Sequence, residues 1–153
     1  MKKPDKDFGV KTAEDSSGFL LWQVTTLWQR GIKKALDEID ITHPQFVLLA
    51  SLLWLSKHQE SVTQIDLSNH SKIDPMTTST VIRILQKKGL IDRREHHADT
   101  RAKAITLTDS GIRTTRQAVK IIEKFDTEFF DDLGAKTKEF NAGLLTLLKT
   151  KQE

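Results

Sequence analysis

The chain has 153 residues, 37% hydrophobic and 29% charged, which is typical of one globular domain or a small domain with appended helices. It contains no cysteine, which excludes disulfides, thiolate metal sites, cysteine nucleophiles and thiol-based redox sensing. No apolar run approaches the roughly 18 residues that a membrane span needs, and the N-terminus is polar, so we expect a cytoplasmic protein with no membrane partner.

The net charge of +3 is distributed unevenly along the chain. Residues 71–103 contain eight Lys or Arg against four Asp or Glu, whereas the remainder contains sixteen against seventeen. A basic excess confined to one contiguous third of the chain is typical of a face that binds a polyanion. Local excesses also arise on ordinary solvated surfaces, so the charge pattern alone does not decide between the two.

The first predicted element is a long amphipathic helix. Residues 1–15 are polar and are predicted to form a flexible tail. Over residues 16–38, apolar side chains recur at helical spacing. Trp22 lies on the opposite side of this helix from Leu20, and a second apolar face indicates a second burial partner.

A capping box opens the next helix, with Thr42 as N-cap and Gln45 three residues later. Residues 46–55 are apolar nearly all the way round, which is typical of a helix at the centre of a fold. A shorter helix is predicted over residues 63–69, with Thr63 as its cap.

A further helix begins at Asp74-Pro75, because Asp is a preferred N-cap and Pro is favoured at the first helical position. It is predicted to run to Lys88 and to end with Gly89 in the left-handed conformation. Its predicted buried face consists of Val81, Ile82 and Leu85.

Two strands and two helices complete the predicted elements. Ile105 and Leu107 alternate with threonines, which predicts a strand, and Leu90-Ile91 begins its partner across a polar loop. Thr108 then caps a long helix that Gly134 ends. A final helix carries apolar residues at the same spacing.

The predicted elements follow the order of a winged helix-turn-helix, namely short helix, turn, capped helix, strand, basic loop and strand. In that fold the second helix enters the major groove. The N-terminal half of that recognition helix must offer small or hydrogen-bonding side chains to base edges and phosphates. The predicted contacts are Pro75, Met76, Thr77, Thr78, Ser79 and Arg83. Ser and Thr also favour helix starts for structural reasons, so each of them alone has an ordinary alternative role.

The segment from Gly89 to Arg94, followed by Asp99-Thr100-Arg101-Ala102-Lys103, resembles the MarR family of transcriptional regulators, whose wing carries Asp-x-Arg-x-Lys. Residues 85–91 are similar to that family's recognition-helix exit, and the resemblance extends over nearly the whole chain. It implies a mainly α fold with a two-stranded β-wing. Residues 42–108 would form the winged helix-turn-helix DNA-binding domain, and residues 16–38 and 109–153 would form dimerisation helices.

For the wing, the resemblance implies that Arg101 enters the minor groove, while Asp99 holds Arg101 in position by a charge-assisted hydrogen bond. It also implies contacts from Arg93, Arg94 and Lys103 to phosphates or to the wing itself, with an ordinary solvated hairpin as the alternative. Thr80 stands where the family often has a basic residue, so base specificity is not carried over.

The resemblance also implies a homodimer, since one winged module has too few contacts to find its site in a genome. The predicted dimer contacts are Trp22, Phe125, Phe129, Phe140, Leu144 and Leu148, and the alternative is packing within one chain. A small aromatic or anionic effector would bind where the dimer helices meet the DNA-binding domain. The predicted pocket residues are Trp22, Arg30, His43 and Trp54, each of which also suits a packing or capping role.

These patterns predict a sequence-specific regulator that binds double-stranded DNA, by analogy a repressor acting on a palindromic operator. The five histidines lack partners at metal-ligand spacing, and no catalytic constellation or phosphate-binding loop is present, so we predict no metal, no cofactor and no enzymatic activity. The alternative function is a winged helix that mediates protein interaction and does not bind DNA.

Overall fold

The computed structural model describes residues 5–95 and 103–152, which form a mainly helical fold with one β-hairpin. The helices are α1 (Ser17–Leu36), α2 (His43–Ser56), α3 (Gln64–Ser71), α4 (Pro75–Lys87), α5 (Asp109–Phe130) and α6 (Thr137–Thr150), and the strands are β1 (Ile91–Glu95) and β2 (Lys103–Leu107). Short 3-10 turns occur at Ala13–Asp15, Asp37–Ile39 and Asp131–Lys136. Within the described ranges, no single helix is long and apolar enough to cross a membrane, although Ser17–Ile39 and His43–Ser56 reach that length and composition as a pair bent by 77°.

Side-chain caps start the helices where the sequence predicts them. Thr42 Oγ1 accepts a hydrogen bond from Gln45 N at 3.3 Å, and Gln45 Oε1 accepts one from Thr42 N at 3.2 Å. Thr63 and Asp66 form the same reciprocal box at the start of α3. At the end of α4, Gly89 has a φ of +74°, the left-handed conformation predicted for it.

The core is divided between two buried clusters. The larger one joins α2, α3, α4 and the hairpin and contains Ile41, Leu48, Leu49, Leu52, Val62, Leu67, Val81, Ile82, Leu85, Leu90, Ile91 and Ile105. The smaller one joins α1 to α5 and contains Ile32, Leu36, Ala118 and Ile122. The prediction that α2 lies at the centre of the fold is confirmed, because its residues Leu48, Leu49 and Leu52 are fully buried.

The hairpin is antiparallel, with Ile91 paired to Leu107 and Arg93 paired to Ile105. Its second strand also bonds to the segment before α3, since Ile105 N donates to Val62 O at 2.8 Å. The wing is therefore held at its base by the chain that leads into the helix-turn-helix, and not by the turn after α4 alone.

The start of α5 passes unusually close to the hairpin. Thr108 Oγ1 donates to Gly89 O at 2.7 Å and accepts from Gly111 N at 3.0 Å. A Cβ atom added to Gly111 would overlap the carbonyl oxygen of Leu90. Only glycine fits this crossing without moving the backbone, so the first turn of α5 lies directly against Leu90, the residue that precedes β1.

We expect Gly111→Ala to lower the free energy of unfolding by about 1–3 kcal/mol, because either the hairpin or α5 must shift to admit the methyl group. Gly9→Ala is the control, since Gly9 is exposed before α1 and a Cβ there meets none of the described atoms within 4 Å. That control should stay within about 0.5 kcal/mol of the unmodified protein. Urea unfolding of both variants checks this, and equal stability for the two would contradict the close crossing.

Candidate nucleic-acid interface

The recognition helix α4 has one buried face and one exposed face. Val81, Ile82 and Leu85 are buried in the larger core cluster, as predicted. The opposite side carries Met76, Thr77, Thr80, Arg83 and Ile84, which are exposed. Met76 is the most open of these, with 82% of its surface exposed. We call these five residues the α4 stripe.

The prediction that Thr78 contacts DNA is wrong. Its side chain is 0% exposed, and its hydroxyl donates to Ile73 O at 3.3 Å. The reason is helical geometry, because Thr78 lies three, four and seven positions before the residues of the buried face. The same geometry places Thr80 and Ile84 on the exposed side, and the helical spacing from Met76 and Thr77 could have identified them.

Hydrogen bonds hold the start of α4 in place. Asp74 Oδ1 accepts from Thr77 N at 2.9 Å, and Asp74 Oδ2 accepts from the hydroxyl of Thr77 at 2.7 Å. The bond from the Thr77 side chain, followed by the backbone bond, lowers the pKa of Asp74 below its usual value. Pro75 occupies the first helical position and is exposed beside this cap.

The two remaining predicted contacts on α4 are linked to each other. Arg83 Nη2 donates to Ser79 Oγ at 3.1 Å, which orients the guanidinium along the exposed side of the helix. Ser79 itself is half-buried. The hydroxyl of Thr80 donates to the carbonyl oxygen of Met76 at 3.1 Å.

The wing arginines lie on opposite faces of β1. Arg93 pairs in register with the buried Ile105 and is half-buried, and among the described residues its Nε atom has no hydrogen-bond partner. Arg94 is exposed, so of the two it is the better placed for a phosphate. Asp99 and Arg101 lie outside the described residues, and Lys103 is described only by its backbone, so their roles stay predictions.

The helices at the two ends of the chain expose many apolar side chains. On α1 these are Phe19, Leu20, Leu21, Trp22, Val24 and Leu27, and on α6 they are Phe140, Leu144, Leu145, Leu147 and Leu148. Trp22 is 70% exposed, which accords with its position on a second apolar face. Leu20 and Val24 are also exposed, so within one chain the N-terminal half of α1 has little of its apolar surface covered.

Two predicted dimer contacts lie partly inside the chain. Phe125 is half-buried against the smaller core cluster, and its ring occupies the space where a Cβ of Gly31 would lie. Phe129 is also half-buried and stacks on Phe125, with ring centroids 5.7 Å apart. The intramolecular alternative therefore holds for Phe125, while Phe140, Leu144 and Leu148 are exposed.

The four predicted effector residues do not form one pocket within a single chain. His43 lines a cleft of about 440 Å³ beside Lys33 and Lys88, whereas Trp54 lines a different cleft of about 330 Å³ between α2 and α5. Arg30, like Trp22, is exposed on α1. The sequence identified residues near the helix junction but could not show how the helices separate them.

His43 lies at the junction of α1, α2 and α5. Its ring contacts the edge of Trp28 with centroids 5.0 Å apart, and Trp28 Nε1 donates to Asp126 Oδ1 at 2.8 Å. Burial lowers the pKa of His43 below its ordinary value of 6.5, and the charge of Asp126 opposes that shift in part. No group of three His, Asp or Glu residues in the described chain could hold a metal ion.

Comparison with known proteins identifies relatives for this architecture. A family model described as ArnR1-like, winged-helix domain matches residues 37–124. The chain is 45% identical over 134 residues to YdcH of Bacillus subtilis, described as an uncharacterized HTH-type transcriptional regulator, and the match covers 88% of this chain and 90% of that protein.

Two solved structures are similar over most of their length. One is a mutant of MarR from Escherichia coli complexed with operator DNA, with a TM-score of 0.75, 23% identity and coverage of 86% of this chain and 91% of that chain. The other is CouR from Rhodococcus jostii RHA1 bound to p-coumaroyl-CoA, with a TM-score of 0.79, 20% identity and coverage of 94% and 99%. Both share the fold described above.

We expect the surroundings of His43 to make stability fall in mild acid. Because the folded-state pKa is below the unfolded value of 6.5, the neutral histidine stabilises the fold above that pH, and this contribution is lost as the pH falls through the folded pKa. His43→Gln removes the titrating group. Urea unfolding between about pH 7.5 and about pH 5 should show a smaller loss of stability in the variant, and parallel losses in the two proteins would contradict this account.

Proposed function

We propose that this chain, which belongs to the ArnR1-like winged-helix family and is similar in structure to regulators of the MarR family, represses transcription by binding a palindromic operator as a homodimer. A small aromatic or anionic effector would release it from DNA. The solvent-facing α4 stripe is the observation that carries the proposal. Its two threonines offer short, hydrogen-bonding side chains in the N-terminal half of the helix that enters the major groove in this class of fold.

The charge and anchoring of the surrounding elements support DNA as the ligand. Arg83 extends from the exposed side of α4, and Arg94 from the exposed face of β1. The N-terminus of α4 also favours a phosphate, through its backbone N–H groups and dipole. Because Ile105 of the hairpin is hydrogen-bonded to Val62 before α3, the wing is held in a fixed position beside the helix-turn-helix.

The exposed apolar side chains of α1 and α6 support a second copy of the chain as a partner. Contiguous apolar surface of this kind is rarely left in water by a monomer and marks an interaction surface. Two-fold pairing places two recognition helices on half-sites whose centres lie about one helical turn, roughly 34–36 Å, apart. A palindromic operator is the DNA symmetry that matches such a dimer.

The size of the cleft beside His43 supports a small effector, because its volume of about 440 Å³ falls in the usual range for small-molecule sites. Asp37 and Asp40 in the same lining offset the charges of Lys33 and Lys88, so an anionic group would have to compete with Asp40 for Lys88, whose Nζ lies 3.8 Å from Asp40 Oδ2. Lys88 directly follows α4, and its Nζ donates to the carbonyl oxygen of Asp40 and to Gln45 Oε1. An anion that draws Lys88 away from these acceptors would bias the position of the recognition helix, which is a population shift.

We expect specific DNA binding to weaken steeply with salt. DNA fragments selected from a random library by the purified chain should bind with a log–log salt slope of about −0.9 for each phosphate contacted. Fluorescence anisotropy between about 50 and about 200 mM salt measures that slope. Failure to retain any DNA at the lowest salt would reject the proposal in favour of a winged helix that mediates protein interaction.

We expect Leu144→Glu to convert the dimer into monomers, because it places a carboxylate on the apolar face of α6. Thr146→Glu is the matched control, since Thr146 is exposed on nearly the opposite side of the same helix. Light scattering measures the mass, and anisotropy measures operator affinity. The proposal requires Leu144→Glu to lower both while the control stays dimeric, and a dimeric Leu144→Glu variant would remove α6 from the interface.

A further inference from the structure

The hydroxyl protons of Thr77 and Thr80 are already used inside the helix. Thr77 Oγ1 lies 2.7 Å from Asp74 Oδ2, and Thr80 Oγ1 lies 3.1 Å from the carbonyl oxygen of Met76. A carboxylate and a backbone carbonyl can only accept hydrogen bonds, so in each pair the threonine is the donor. The hydrogen bonds on Asp74 keep it ionised, which fixes this direction for Thr77.

What these threonines can offer to DNA is therefore restricted to acceptor lone pairs and methyl groups. Both side chains are exposed, and their spacing of three residues places them on one side of α4. Met76 adds an apolar side chain next to them. The N-terminal half of the α4 stripe thus presents acceptors and apolar groups, whereas Arg83 supplies donors about one turn further along.

The bases differ in how they meet such a surface in the major groove. Adenine and cytosine present an amino donor, thymine presents a methyl group, and guanine presents only the acceptors N7 and O6. An A·T pair supplies both the donor and the methyl group that the threonines and Met76 complement. A guanine in the same place would set its acceptors against threonine oxygens that have no proton to give.

We propose that Thr77, Thr80 and Met76 select A·T base pairs in each half-site, and that Arg83 selects a guanine beyond them. This inference rests on the proposed function, because it specifies which bases the operator contains. Arg83 suits guanine because its guanidinium can donate to both N7 and O6, and its bond to Ser79 uses one of five N–H donors.

Base analogues in the selected operator test the inference on the unmodified protein. Replacing an adenine by 2-aminopurine removes the amino group from the major groove while keeping the pairing with thymine, and replacing a thymine by uracil removes only its methyl group. At the positions under Thr77 and Thr80, we expect each replacement to weaken binding about fivefold, as measured by anisotropy.

Two valine variants assign that effect to the threonine oxygens. Thr77→Val and Thr80→Val keep the shape and methyl groups but remove the oxygen, so each should lose sensitivity to 2-aminopurine at its own position and keep sensitivity to uracil. Thr127→Val is the matched control, because Thr127 is an exposed threonine on α5 whose hydroxyl makes the same kind of bond, at 2.8 Å to Glu123 O. It should respond to both analogues as the unmodified protein does.

The outcomes separate this inference from the proposed function. Selection of no DNA would reject both. Two results would overturn the inference and leave DNA binding intact. One is tight, salt-dependent binding to operators that have guanine under Thr77 and Thr80. The other is that the valine variants remain as sensitive to 2-aminopurine as the unmodified protein. Thermal melting checks that the variants are folded. The analogue series on the unmodified protein tests the inference without the variants.

Discussion

The burial of one face of α4 in the larger core cluster is the constraint on which the candidate site depends. Val81, Ile82 and Leu85 pack with residues of α2 and of the hairpin, and this packing sets the rotation of α4 about its own axis. Once that rotation is set, the helix period decides which side chains can meet a ligand. The wing depends on the same cluster, because Ile91 and Ile105 belong to it. The packing of the larger core cluster therefore also sets which residues of α4 and of the hairpin form the binding surface.

The elements with local signals could be predicted from the sequence. The capping boxes at Thr42 and Thr63, the cap at Asp74 and the left-handed Gly89 all depend on residues within one turn, and the structure confirms each of them. The winged order of helices and strands follows from these boundaries and from the alternation around Ile105. Local chemistry was sufficient for this part of the fold.

What the sequence pattern does not reveal depends on rotation or on distance. The run of hydroxyls from Thr77 to Thr80 hides the position of Thr78, although the period of the buried face places its side chain inside. His43 and Trp54 lie in separate clefts because contacts between helices, which the sequence pattern does not encode, direct them apart. The apolar character of Phe125 predicts a contact with a partner but does not reveal that Gly31 also leaves room for part of its ring within the chain.

The tight crossing at Gly111 has a mechanical consequence. Since α5 has no clearance from the carbonyl of Leu90, the first turns of α5 and the base of the hairpin must travel together as a lever. In a dimer whose α5 helices change their crossing angle, the displacement of each winged helix-turn-helix would grow with distance from the crossing point and be greatest at the wing. A small rotation at the centre of the assembly would thereby become a large change in the span between the two wings.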